Sequence, residues 1–152
     1  MKRHPILALA LLLGCGGDDN NVVPPETLVA GTWRFRYTNL TATIQGVGVS
    51  CGPVSLDFSI TQGLFTFTGV QVGTGTVTCS TNTAVLVSTL ITGETIVQGQ
   101  IQGPSIAFGF GTMSGVQTGI VGRTSINGTS QWLLQANGVV LVLNGQFTAV
   151  RL

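Results

Sequence analysis

The sequence predicts an all-β domain, folded as an antiparallel up-and-down β-barrel of roughly 8–10 strands, and three observations carry that prediction. Apolar side chains recur at every second position through most of the chain, the period of a strand with one dry and one wet face. Gly, Asn and Ser interrupt this pattern at intervals of about eight to twelve residues, which is turn spacing for a barrel or sandwich. Glycines inside strand-like runs, at Gly99, Gly109 and Gly111, call for tight curvature or close backbone approach and so favour closure. A β-sandwich is the alternative architecture that the same punctuation allows.

The elements follow in order from Leu28. Val54, Leu56, Phe58 and Ile60 alternate with Ser55, Asp57, Ser59 and Thr61. Gln62-Gly63 turns the chain into Leu64 to Val70, where Phe65 and Phe67 oppose Thr66 and Thr68. Ala84 to Ile91 is apolar on both faces, as in a strand covered on both sides or one with more apolar surface than a single sheet can hide. Val97, Gly99 and Ile101 alternate with glutamines, Gly103-Pro104 turns, and Ile106, Phe108 and Phe110 share a face. Asn137-Gly138 between two apolar runs is the strongest hairpin signal in the chain, and Asn144-Gly145 marks a bulge in the last strand.

Ahead of this domain, Met1-Lys2-Arg3 is a short basic start, and Ile6 to Leu13 is an unbroken apolar run. A membrane-crossing helix needs about 20 apolar residues, so the run fits the apolar part of an export signal instead. Leu12-Leu13-Gly14-Cys15 resembles the lipobox of bacterial lipoproteins. That resemblance implies cleavage before Cys15, a diacylglycerol on its thiol, and attachment to a membrane through that lipid. Gly16, rather than Asp, beside the cysteine implies the outer membrane under the sorting rule of enteric bacteria. The expected layout is a leader over residues 1–14, a lipidated linker over 15–27 containing Pro24-Pro25, and the β domain over 28–152.

Composition narrows the chemistry. Once the leader is removed, four arginines (34, 36, 123, 151) stand against five acids (Asp18, Asp19, Glu26, Asp57, Glu94), leaving one net negative charge and neither Lys nor His. Such a chain lacks a phosphate-tracking surface, which argues against nucleic acid. It also lacks the base that a hydrolytic triad requires. Asp57, on the wet face of its strand, and Glu94, in the turn Thr92-Gly93-Glu94, read as solubilising charges, not as a catalytic pair. The residues point to no enzyme, no metal site and no cofactor. In an oxidising compartment Cys51 and Cys79, the two cysteines left after lipidation, pair as a structural disulfide.

Gly31-Thr32-Trp33 at the head of the domain and Arg151 near its end resemble the lipocalin and calycin group. There a Gly-x-Trp on the first strand closes one end of the barrel, and an arginine lies across the indole. The resemblance implies that Gly31, Trp33 and Arg151 form the barrel plug. Phe35, Tyr37, Phe58, Phe65, Phe67, Phe108 and Phe110 would then line an interior able to hold one small apolar ligand. The alternative is a structural or adhesive envelope protein without a ligand cavity, contacting protein or polysaccharide. Arg34 and Arg36 project outward in that layout as a small basic stripe.

Overall fold

The computed structural model describes residues 27–44, 46–136 and 138–152. Cys15, the leader and the linker up to Glu26 lie outside the described residues, as does Asn137 of the hairpin turn. Eleven strands form within them. The first six are β1 (Gly31–Ile44), β2 (Val47–Cys51), β3 (Val54–Gln62), β4 (Thr66–Val72), β5 (Thr74–Ser80) and β6 (Val85–Thr92). They are followed by β7 (Thr95–Gln102), β8 (Ser105–Phe110), β9 (Gly115–Val121), β10 (Ser125–Ala136) and β11 (Val139–Arg151).

Eight of these, in the order β1-β3-β4-β7-β8-β9-β10-β11, pair antiparallel with their neighbours, and β1 pairs again with β11 to close the barrel. The fold is all-β, as the alternation predicts, and closed. These eight keep the up-and-down order, and the other three strands form an extension in which β2 folds back on the far half of β1 and the β5–β6 hairpin adds to β2. β1 therefore has two successive partners along one side. Gly31 to Tyr37 pair with β3, and Leu40 to Ile44 pair with β2.

The change of partner needs a bend, and the bend sits in β1. Thr38 faces Gln146 and Thr41 faces Asn144, so Asn39 and Leu40 together oppose Gly145, and Asn39 has φ of 52°. Asn tolerates this left-handed geometry better than most residues. The bulge expected at Asn144-Gly145 is thus displaced across the ladder, because β11 keeps unbroken register with β10. Gly145 makes the displacement feasible: a Cβ there would lie 2.7 Å from the Leu40 side chain.

A second irregularity corrects the reading of β7. Gly99 and Ile101 face inward as predicted, but Val97 is only half-buried and Ile96 is the buried residue, because Gln98 (φ 53°) forms a bulge that shifts the phase by one. β6 takes the second of its two expected forms. It is the sheet edge, with Val87 and Ile91 buried and Val85, Leu86 and Leu90 exposed, so it carries more apolar surface than its sheet covers.

Cys51 and Cys79 are directly opposed on β2 and β5 and joined as a disulfide, with S–S 2.04 Å. Only Ser50↔Ser80 accompanies them in that ladder, with the Gly52 amide donating to the Thr78 carbonyl (2.8 Å) just beyond it, so the covalent bond reinforces a short junction. Loop closure over this separation contributes about 3.5 kcal/mol.

Candidate functional site

The lower rim of the barrel gathers the start of β1, the ends of β3 and β11, and the chain segment Thr27 to Ala30. Gln62 holds that segment: its Oε1 accepts from the amides of Val29 (2.6 Å) and Ala30 (3.1 Å), and its Nε2 donates to the Thr27 carbonyl. Trp33, with Val29 fully buried beside it, donates from Nε1 to the Val29 carbonyl at 2.8 Å. The Arg151 guanidinium lies 4.9 Å above the Trp33 ring and donates to the Leu28 carbonyl. Trp33↔Arg151 are ladder partners across the closing seam, which is why residues so distant in sequence meet. A cation–π contact of this kind contributes about 0.5–2 kcal/mol. Gly31 (φ 121°) opens the strand immediately before this cluster.

Above the plug the interior is packed ring against ring. Phe35 lies 5.7 Å from Phe58, 5.7 Å from Phe108 and 5.5 Å from Phe147. Tyr37 lies 4.6 Å from Trp132, Phe58 stacks on Phe110 at 5.7 Å, and Phe67 meets Phe108 at 5.7 Å. Gly128 permits this density, since a Cβ there would lie 2.6 Å from the Phe147 ring. Phe65 is a correction. It sits just before β4, at the β3–β4 turn, and is half exposed, because the ladder with β3 ends at Phe67. Trp132 and Phe147, absent from the expected interior set, are both buried within it. Their signal was the inward phase of Trp132-x-Leu134-x-Ala136 and Phe147-x-Ala149.

Toward the upper end the packing turns polar. Tyr37 Oη, Gln117 Oε1, Ser130 Oγ and Trp132 Nε1 are buried without a hydrogen-bond partner among the described residues. Gln117 and Ser130 are ladder partners, and Trp132 follows Ser130 on the same face, so these atoms share one region. It is a setting in which internal water bridges orphaned groups.

Glu94 is a second correction. It is 1% exposed, not a solubilising charge. Its carboxylate accepts from the amides of Thr95 (2.8 Å), Thr112 (2.9 Å) and Met113 (3.0 Å) and from the Thr112 hydroxyl. Burial by itself raises the carboxyl, but these four donors outweigh it and hold Glu94 below the usual carboxylate value. Gln71 fixes the turn from the other side, accepting from the Glu94 amide and donating to the Ile91 carbonyl. Burial, followed by the Glu94 charge, pushes the Tyr37 phenol well above its ordinary value. The result is an anion-ordered turn that pins the β8–β9 loop.

The outer wall is almost neutral, and its threonines, serines and glutamines are interspersed with exposed apolar residues, among them Val70, Val116, Ile120, Val140 and Val150. Asp57 is the ladder partner of Arg34 and accepts from it through both oxygens at 2.9 and 2.8 Å, so the expected basic stripe is half neutralised. Among the described residues no group of three or more His, Cys, Asp or Glu is placed to hold a metal ion. An open cleft of about 410 Å³ separates β6 from the far half of β10, lined by Leu90, Ile91, Met113, Leu133, Leu134 and Val140 with flanking threonines. Both of its walls are strand edges. Among the described residues β6 pairs with β5 alone, and β10 beyond Leu133, whose amide donates to the Ser114 carbonyl, pairs with β11 alone. No protein-family model matches the chain, and no curated protein sequence matches it.

Proposed function

We propose that this chain is a non-enzymatic lipoprotein of the cell envelope, tethered through lipid on Cys15, whose barrel works from its outer surface by contacting an envelope protein. The observation that carries the outward reading is the ring-on-ring interior, which fills the volume a ligand would need. The two free edges flanking the β6–β10 cleft favour a polypeptide over a glycan, since an extended segment added there would satisfy backbone donors and acceptors on both sides. Gly16 beside the lipidated cysteine supports the outer membrane, and the absence of His and Lys after the leader supports a binding role over a catalytic one.

A photo-crosslinking amino acid in place of Leu90, activated in intact envelopes, should yield one discrete protein adduct. A glycan adduct, or none, would overturn the proposed partner. Labelled palmitate should enter the wild-type chain and not the Cys15→Ala variant. A second reading, a small guest inside the barrel, is favoured by the four orphaned polar atoms near Tyr37 and Trp132. Native mass spectrometry separates the two, because a stoichiometric co-purifying small molecule would establish the guest and remove the premise of a filled interior.

A further inference from the structure

We propose that the lower rim, where the chain arrives from the tether, is a lipid-docking surface that seats the barrel end-on against the bilayer holding its anchor. The proposal rests on the lipid tether proposed above and adds an orientation to it.

The described chain begins at Thr27 on that rim, tied down by the Thr27 hydroxyl to the Gly103 carbonyl and by Gln62 to the Thr27 carbonyl. The same rim carries the β3–β4 turn, the β7–β8 turn, the β9–β10 turn and the end of β11. Leu64 and Phe65 project from the first of these, 50% and 46% exposed, with Leu28 and Leu152 also exposed on the rim. Phe65 is the exposed aromatic among the described residues; every other described Phe, Tyr and Trp is buried. An apolar pair at a turn tip, where turns are ordinarily polar, suits insertion at the boundary between headgroups and acyl chains. Arg123, in the β9–β10 turn, is exposed on the same rim, where a guanidinium can meet phosphate groups. No Asp or Glu side chain among the described residues lies on this rim: Asp57 is paired on the wall, and Glu94 is buried at the other end.

Tether length supplies the remaining argument. The twelve residues from Cys15 to Glu26 span at most about 40 Å even when fully extended, so the rim cannot leave the neighbourhood of the surface. Confinement of that kind corresponds to a local concentration on the order of millimolar, at which a weak surface affinity suffices. The tether's own acids, Asp18, Asp19 and Glu26, oppose an anionic surface, so the apolar pair and not the arginine must supply most of the attraction.

The test uses the mature lipoprotein carrying Phe65→Trp, reconstituted into phosphatidylethanolamine–phosphatidylglycerol vesicles with or without brominated acyl chains. Trp33 and Trp132 are buried, so the wild-type chain gives the baseline emission. Docking predicts a blue-shifted added emission that brominated lipid quenches, and loss of both effects when Leu64→Asp is introduced into the same chain. Equal emission in the two vesicle types, from protein that floats with them and carries palmitate, would overturn the docking surface while leaving the anchor intact. Absence of both palmitate and flotation would instead overturn the anchor.

Discussion

The closed barrel and the β2–β5–β6 extension are made of the same residue types, yet they are held together in different ways. The barrel strands share long ladders, twelve pairs between β10 and β11 alone, around an interior of interlocked rings. The extension meets the barrel through the far half of β1 and where Gly75 of β5 packs against Leu56 of β3, and within it β2 and β5 share two ladder pairs, one of them the disulfide. Its outer strand leaves Val85, Leu86 and Leu90 in solvent. Closure removes edges and buries one complete face, so noncovalent packing is enough for the barrel. An open edge has neither advantage, and a covalent bond takes the place of the missing ladder.

That comparison can be broken at its strong end first. Trp33→Ala removes the plug and its contacts with Val29 and Arg151, and should cost about 3–5 kcal/mol in a single cooperative denaturant transition. A loss below about 1 kcal/mol would mean that the plug is ornamental. Replacing Cys51 and Cys79 together by Ala should cost about 2–4 kcal/mol. Here the loss should be local: hydrogen exchange should speed up in β2, β5 and β6 before the barrel strands. Uniform acceleration in both regions would erase the distinction between them.

Glu94 lies where the two regions meet, between β6 and β7, and sharpens the comparison through pH. Glu94→Gln should destabilise by about 1–3 kcal/mol near neutrality, because a side-chain amide cannot accept from all four donors. The folded carboxyl titrates below its unfolded value, so its stabilisation is present above the unfolded pKa and is lost as pH falls through the folded one. Urea midpoints taken from about pH 6 to about pH 3 should therefore converge for wild type and variant; parallel curves would show that the carboxylate contributes nothing. Smallest is Arg151→Ala, expected to cost about 1 kcal/mol and to leave the barrel closed. Thermal melts would decide it, and a loss as large as that of Trp33→Ala would make the arginine a principal support of the plug.

Much of the barrel was legible because alternation is a local property. Val54 to Ile60 and Ile106 to Phe110 have the burial their spacing predicts, since an unbroken strand repeats its phase every two residues. Where phase is broken the sequence was silent or misleading. Val97 looked inward until the bulge at Gln98 shifted it, and Phe65 shared a period with Phe67 although the ladder ended between them. Glu94 failed for a different reason. Its four donors come from Thr95 and from a loop 18 residues away, and no local pattern announces that a turn carboxylate will be enclosed.

By itself the amino-acid sequence determined the strand character, the near-absence of charge, and the pair of cysteines suited to a bridge. Those are properties of single residues or of neighbours two apart. Tertiary structure alone decided that eight strands close while three remain as an edge, that Trp132 and Phe147 complete the interior, and that Leu64 and Phe65 gather with the chain's arrival point on one rim. Each of these depends on register between segments far apart in the chain. Register is a choice among pairings of similar local energy, settled only when the whole sheet packs.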